Sequence, residues 1–538
     1  MKKKTQKNKS IKLNYIYNVS YQILTLITPL ITAPYLSRVL KADGIGAYSY
    51  TYSLVSYFIM FAALGTVNYG NREISYLQED RAKRTKTFWE IELLSVISVI
   101  VCLCAYMVFT LAFGHSPLKK HLLLIEAVYL ISVASDISWL FQGLEEFGKI
   151  VGRNVIFKII NIAFIFIAVR SESDLLIYVA GICLLELFAN ISIWFYLPQY
   201  VDRPKLKELK PFSHLRATLT LFVPTIATTI YTALDKTMLN NITGSMTENG
   251  YYEQANKISK MVLMLVTSLG TVMLPRIGRA FSENKPDEVK ALLYKSFQFV
   301  WFIGLALCFG LIGIARNFSP WFFGPGYEKV PYLIMIMATL LPIIGLSNVI
   351  GIQYLVTTKR ESLLTRSVCI GAAANFVMNM ILIHQLYSYG AAIASVISEV
   401  IITAVQLYFI RNELSIPKIF SLSWKYLISA VCMLIVLLLM DARLSVSFMH
   451  TMIMIVTGFI VYMVLLVLMR DEMVWEGIRL IKARINATNN TILQRLITRQ
   501  LHLFGCLILS NHLCLSSVSI FSCHFQSFFS PLHRLFPS

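Results

Sequence analysis

The chain reads as an all-α polytopic membrane protein, and three observations carry that reading. Of its 538 residues, 56% are apolar and only 14% charged, whereas a soluble globular chain is near half apolar and a quarter charged. Mean hydropathy is +0.64, and the apolar residues fall in runs close to the roughly 20 that cross hydrocarbon as a helix. Lys and Arg gather in alternate short loops between those runs. The net charge of +19 would fit nucleic acid in a soluble protein. Set between apolar runs it is the positive-inside pattern, so no nucleic-acid partner is expected.

About 14 spans are expected from run length. The first six are Asn14–Leu40, Ala47–Leu64, Phe88–Phe113, Leu122–Phe141, Val155–Val169 and Leu175–Leu197. The next six are Leu219–Asn240, Tyr251–Leu274, Leu292–Ala315, Pro331–Val356, Leu363–His384 and Ala391–Ile410. The last two are Tyr426–Met440 and Ser447–Met469. With the N-terminus inside, internal segments carry more than three times the Lys and Arg of the external loops. This predicts cytoplasmic N- and C-termini. The external loops are too short to hold a catalytic domain. No cleavable signal peptide is visible after the basic start MKKKTQKNKSIK.

An internal repeat sets the organisation. Leu36-Ser37-Arg38 ahead of Gly46-Ala47-Tyr48 echoes Leu234-Asp235-Lys236 ahead of Gly250-Tyr251-Tyr252. Leu64-Gly65-Thr66-Val67 recurs as Leu269-Gly270-Thr271-Val272. Six helices per copy return the chain to its starting side, so the copies share one orientation. They should be related by an axis along the membrane normal, with a site between them. The expected divisions are a basic N-terminus (1–13), an N-lobe (14–200), an inter-lobe linker (201–216), a C-lobe (217–411), two further helices (412–470) and a tail (471–538). The tail has no acidic residue after Glu476 and turns Ser-, His-, Cys- and Phe-rich. Its His and Cys lack paired ligand spacing, so no metal is expected there and an appended, non-functional extension is. The nine cysteines are scattered without CxxC spacing, which predicts free thiols.

Candidate site residues cluster between Val223 and Lys260. Asp235 and Lys236 sit side by side in an apolar run, and Glu253, Lys257 and Lys260 come at helical spacing after Tyr251 and Tyr252. Ionisable groups at membrane depth are costly and mark a substrate or ion path. Asp235 and Lys236 point about 100° apart on a helix, so each needs another partner, Lys257 or Lys260 being expected for Asp235. Lys257 and Lys260, three apart, share a face. Arg38 and Lys158 are further candidate cations, with snorkelling to an interface as the alternative. Glu126, Asp136, Glu186, Glu253 and Glu399 are acids in or near spans; Glu253 is the first choice for ion coupling, because it shares the charged helix. Tyr252 and other tyrosines would stack on sugars or form an interfacial belt. Pro29 and Pro224 occupy matching places in the two repeats and would bend their helices.

Several blocks resemble the Wzx-type oligosaccharide flippases: PLITAPYLSRVLKADGIGAYSYTYSLVSYF, LGTVNYGNREISY, WLFQGLEEF, LDKTMLN, GYYEQANKISKM, LPRIGRAFSENKPDEV and FFGPGYEKVPYL. They stand in family order from about Asn14 to Met469. The superfamily also holds lipid II flippases and multidrug/cation antiporters. The resemblance implies two six-helix lobes in a V around a central cavity, plus two C-terminal helices. It also implies alternating access that carries an undecaprenyl-pyrophosphate-linked oligosaccharide across the bacterial cytoplasmic membrane, for capsule or exopolysaccharide. Arg38, in LSRVL, matches a cavity arginine of the lipid II flippases. Lys257, in YYEQANK, stands where their YYANR-like stretch has arginine, which weakens bidentate phosphate recognition there.

Moving a bare diphosphate through hydrocarbon would cost tens of kcal/mol, so a flippase needs cations in a wet cavity while the polyprenyl tail stays in lipid. Arg38, Lys236, Lys257 and Lys260 are the expected cations, with Asp235 and Tyr252 beside them. Partners expected are the lipid-linked oligosaccharide, membrane lipids, a polysaccharide polymerase and glycosyltransferases; no cofactor is expected. A cation-coupled multidrug-type antiporter of the same fold is the alternative, although Asn14–Leu40 contains no Asp or Glu. A membrane polymerase or glycosyltransferase would need a general base or metal-binding acids in a sizeable outer loop.

Overall fold

In a computed structural model the apolar runs form helices whose backbone groups are satisfied within each segment, as a spanning chain requires. Residues 11–113, 116–204, 206–479 and 482 are described. The basic start (1–10) and the tail from 483 onward lie outside them, as does the side chain of Pro224. The described residues fall into two units, one ending at Leu466 and a second beginning at Val467. In the second, residues 472–479 are helical, and the Asp471 carboxylate accepts the backbone N–H of Val474 at 3.2 Å.

The helices of the first half are α1 (Ile11–Ala63), α2 (Thr66–Tyr76), α3 (Arg81–Phe113), α4 (Pro117–Ser135), α5 (Ser138–Gly143), α6 (Phe147–Ala168) and α7 (Leu175–Ser192). The second half holds α8 (Leu215–Thr243), α9 (Met246–Ser282), α10 (Pro286–Phe323), α11 (Val330–Ala338) and α12 (Leu340–Asn348). After α12 the helix widens into a π segment, Val349–Val356. The remaining helices are α13 (Glu361–Leu386), α14 (Ser388–Ile410), α15 (Ile416–Ser421), α16 (Trp424–Asp441) and α17 (Phe448–Leu468).

Among the described residues, twelve helices are long and apolar enough to cross a membrane, against about 14 expected. The difference has a local cause. The first of the twelve, Leu24–Tyr76, runs through both of the first two expected spans. They are parts of α1, which bends at Lys41, where φ is 54°. A left-handed φ on a side-chain-bearing residue is strained and breaks the helix. The seventh expected span corresponds to α8, a 29-residue helix outside the twelve.

The linker between Val201 and Arg216 is pinned to α3. Arg81 forms a 2.8 Å ion pair with Asp202, whose carboxyl is held below its ordinary range by hydrogen bonds from that guanidinium. Arg84 donates to the Tyr200 carbonyl, and the buried Glu90 accepts the Lys210 N–H at 2.9 Å. Beneath it an aromatic core packs Trp139 of α5 on Phe88, with Gly70 of α2 flat against the indole.

The feature that organises the interior is the crossing of α1 and α9. A Cβ on Gly46 would lie 1.7 Å from the Met246 carbonyl oxygen, and one on Gly250 would lie 2.1 Å from that of Ala42. Only glycine permits backbones this close. Gly46 and Gly250 are repeat-related, 204 positions apart. Three residues to either side, the same offset recurs as hydrogen bonds: Thr247 donates to Asp43, and Ser49 donates to Glu253 at 3.1 Å. Residues one repeat apart meet where two copies face each other across a pseudo-twofold axis. Gln254 to Ser37 (2.9 Å), Tyr50 to Asn241 (2.7 Å) and Ser53 with Thr237 (3.0 Å) extend the seam.

Gly46→Leu should therefore force α1 from α9. Overpacking of this kind costs about 1–3 kcal/mol, to be read as a lower melting temperature of the purified protein. A disulfide between Asp43→Cys and Thr247→Cys should form readily in the parent background and poorly with Gly46→Leu present; equal yields would refute the contact.

Candidate functional site

Below the glycine crossing, α8 and α9 carry five ionisable side chains, and the structure sorts them into two groups. Asp235 and Lys236 diverge, as adjacent helical residues must. Lys236 turns to α9 and pairs with Glu253 at 2.5 Å, both side chains being only about one-seventh exposed. Lys257, one turn on, approaches the same carboxylate at 3.6 Å and is a third exposed. With the Ser49 hydroxyl from α1, Glu253 thus joins three helices. The closeness of two ammonium groups to one carboxylate gives this network a formal surplus of one positive charge.

Asp235 turns the other way. The expected lysine partner is not there: four neutral donors surround this buried carboxylate instead. Oδ1 accepts Nδ2 of Asn375 at 3.0 Å and of Asn379 at 2.7 Å. Oδ2 accepts the Tyr252 hydroxyl and the Ser395 hydroxyl, each at 2.6 Å. These hydrogen bonds satisfy the desolvated charge, and among the described residues no cation lies within ion-pair distance of it. Asn375, Asn379 and Ser395 are not among the residues expected from sequence. The available signal was two asparagines one helical turn apart in the apolar run ANFVMNM. Asn375 and Asn379 are fully buried, and amides at that depth need partners.

Asp235, Tyr252 and Lys260 line one cavity of about 390 Å³ among α8, α9, α11, α12, α13 and α14. Glu399 and Ser259 are on its wall, the buried Ser259 hydroxyl having no hydrogen-bond partner. Lys260 is exposed although it lies mid-helix, because it faces this space. Lys236, Glu253 and Lys257 are outside the lining. Among the described residues no three His, Cys, Asp or Glu side chains converge as metal ligands.

The other expected residues lie apart. Arg38 is exposed and hooks over the end of α10, donating to the Pro34 carbonyl at 2.9 Å and to the Trp321 carbonyl. Lys158 lines a separate cavity between α4, α6 and α7. Glu126 is buried and accepts the Thr51 hydroxyl at 2.9 Å, its second oxygen having no partner.

Comparison with known proteins bears on this arrangement. A family model described as "Polysaccharide biosynthesis protein" matches residues 11–281, which include α1, α8 and almost all of α9. A "Putative O-antigen transporter" of Escherichia coli K12 is 25% identical over 415 residues, covering 75% of this chain and 97% of that protein. Among solved structures, a "Lipid II flippase MurJ, inward closed conformation" superposes with TM-score 0.67 at 16% identity, covering 85% of this chain and 99% of that one. An inward-facing multidrug resistance MATE family transporter of the MOP superfamily gives TM-score 0.59 at 13% identity, covering 76% and 98%. At these identities the structures establish the fold. The fold is thus the multi-pass, all-helical one expected from the sequence, and the resemblance to Wzx-type flippases holds. With its family model matched over half its length, this chain belongs to the polysaccharide biosynthesis protein family.

Proposed function

We propose that the chain flips a lipid-linked oligosaccharide, an undecaprenyl-pyrophosphate-linked repeat unit, across the bacterial cytoplasmic membrane by alternating access between two six-helix lobes. The observation that carries this reading is the lysine network on α8 and α9. Lys236 and Lys257 are held on Glu253 in the middle of otherwise apolar helices, with Lys260 one turn away. A diphosphate entering beside them would compete with Glu253 for both ammonium groups. The carboxylate therefore acts as a resident stand-in for substrate, and its displacement lowers the cost of taking a doubly charged headgroup out of water. Glu253, left without its lysines, is the group we propose to take up a proton and so couple transport to an ion gradient. Arg38, three residues before the bend in α1 and bound to a carbonyl of α10, would meet the substrate only when α1 and α10 part.

The relatives that bear O-antigen names support a surface glycan as cargo. Capsule or exopolysaccharide is the version proposed here, with a polymerase and glycosyltransferases as partners and both termini cytoplasmic. One observation favours a second reading, a cation-coupled antiporter. Asp235 and Glu399 line one cavity, and carboxylates in such a space attract a cationic cargo.

The two readings separate in cells depleted of this protein. Labelled lipid-linked oligosaccharide should accumulate in the cytoplasmic leaflet if it is the cargo; an unchanged distribution would favour the antiporter. Lys257→Ala and Lys260→Ala should each lower glycan export at least tenfold, from loss of a charge-assisted contact of about 1.5–3 kcal/mol, at normal protein levels. Full export by both variants would remove them from the site. Lys236→Ala leaves Glu253 with one distant cation and should destabilise the purified protein by about 3 kcal/mol. Lys236→Met with Glu253→Gln should recover most of that; an unchanged melting temperature in Lys236→Ala would show that the pair adds no stability.

A further inference from the structure

The first-half helices enclose a second polar cavity, away from the lysine network. It lies between α4, α6 and α7, holds about 190 Å³, and shares no lining residue with the cavity at Asp235. Its wall carries two cations, Arg153 and Lys158, and two carboxylates, Asp136 and Glu186, together with Asn161 and the ring of Phe157. The formal charges cancel. So many ionisable groups between spanning helices are costly, and they are retained where a polar occupant meets them.

The wall is partly preset and partly unfilled. Arg153 donates Nε to Asn154 at 3.0 Å and Nη1 to Asn190 at 3.2 Å, while Asn190 donates to the Ser132 hydroxyl at 2.9 Å. Asp136 accepts the Ser138 N–H at 3.0 Å, which fixes it at the end of α4. Among the described residues, Lys158 and Glu186 make no hydrogen bond or ion pair, and the buried Oδ1 of Asn161 has no donor. The buried Asn161 oxygen needs water or a ligand, and the half-buried Lys158 and exposed Glu186 beside it are open to one.

The chemistry selects the ligand. A diphosphate would find no net positive charge to balance it, and an apolar chain would strand every polar group. A sugar ring satisfies all of them, because its hydroxyls donate to carboxylate and amide oxygens and accept from guanidinium and ammonium groups. Its C–H face packs on an aromatic ring. The volume equals that of about six waters at ~30 Å³ each, the scale of one monosaccharide. Elsewhere on α1, α4 and α7 four tyrosines gather. Tyr48 and Tyr129 share a hydrogen bond of 3.2 Å, with Tyr52 and Tyr178 edge-on to them at 5.4 and 5.6 Å. Tyr178 precedes Glu186 by eight residues on α7, or about 12 Å at 1.5 Å per residue, within reach of a short oligosaccharide.

We propose that this cavity is a sugar-binding subsite for one residue of the glycan. Asp136 and Glu186 accept hydroxyl hydrogens, Arg153 and Lys158 donate, Phe157 stacks on the ring, and the tyrosine cluster carries the neighbouring sugars. The assignment rests on the flippase reading, to which it adds the group that recognises the sugar rather than the carrier.

The test uses the full chain in lipid nanodiscs with saturation-transfer NMR, probing a panel of free hexoses and N-acetylhexosamines. At least one sugar should bind; Glu186→Gln should weaken it about tenfold, the scale of one lost hydrogen bond to a charged group, and Phe157→Leu about fivefold, the scale of a lost ring contact. Phe157→Leu keeps the site apolar while removing the ring; if Glu186→Gln fails to fold, Phe157→Leu and Asn161→Ala carry the test. Absence of binding by every sugar overturns the proposal, as does binding that survives the substitutions. Saturation of the site by dihexanoylphosphatidylethanolamine in place of any sugar would make it a lipid headgroup site and also overturn it. Undecaprenyl pyrophosphate without sugar is measured alongside. Its failure to bind would remove the flippase reading while leaving the sugar result standing, and the converse outcome removes the subsite alone.

Discussion

The backbone contact of α1 with α9 is the constraint on which the remaining geometry depends. Gly46 and Gly250 let two long helices touch with no side chain between them. The contact sets the register of the polar side chains further along each helix. Three residues on from each glycine, Ser49 and Glu253 meet, and Glu253 in turn gathers Lys236 and Lys257. A bulkier residue at either glycine would move the carboxylate away from its hydroxyl and loosen the hold on both lysines.

The two acids of this region show how environment assigns role. Glu253 and Asp235 are both buried among apolar helices, yet one is balanced by ammonium groups and the other by amides and hydroxyls. An ion pair can be exchanged for another charged partner, since an incoming anion offers lysine an equal interaction. A carboxylate enclosed by four neutral donors has no such competitor and is held in place by geometry. The first arrangement suits a transient visitor, the second a fixed point that ties α8 to α9, α13 and α14.

Two distinct spaces result from this division of the chain. One, around Asp235 and Lys260, belongs to the second repeat; the other, around Arg153 and Glu186, belongs to the first. Their linings differ in kind: the former is mostly apolar with Asp235, Glu399 and Lys260 set into it, and the latter is mostly polar.

The sequence alone determined the helical, multi-pass class, because apolar run length and loop charge are local properties that a bilayer converts directly into spans. It also determined the repeat and the residues worth watching, since Asp235, Lys236, Glu253 and Lys257 stand out as charges in apolar runs. The divergence of Asp235 from Lys236 came from helix geometry alone. Only the tertiary structure decided the partners. Asp235 is served by Asn375, Asn379 and Ser395, which lie 140 or more residues away, and no local pattern encodes a contact at that separation. The same holds for Arg38, whose guanidinium ends on a backbone carbonyl of α10, a group with no side-chain signature. The break near Lys41 was legible, since Asp43-Gly44 and Gly46 separate the first two expected spans, but that the chain bends there within one long helix, with the left-handed φ on a lysine, was decided by packing.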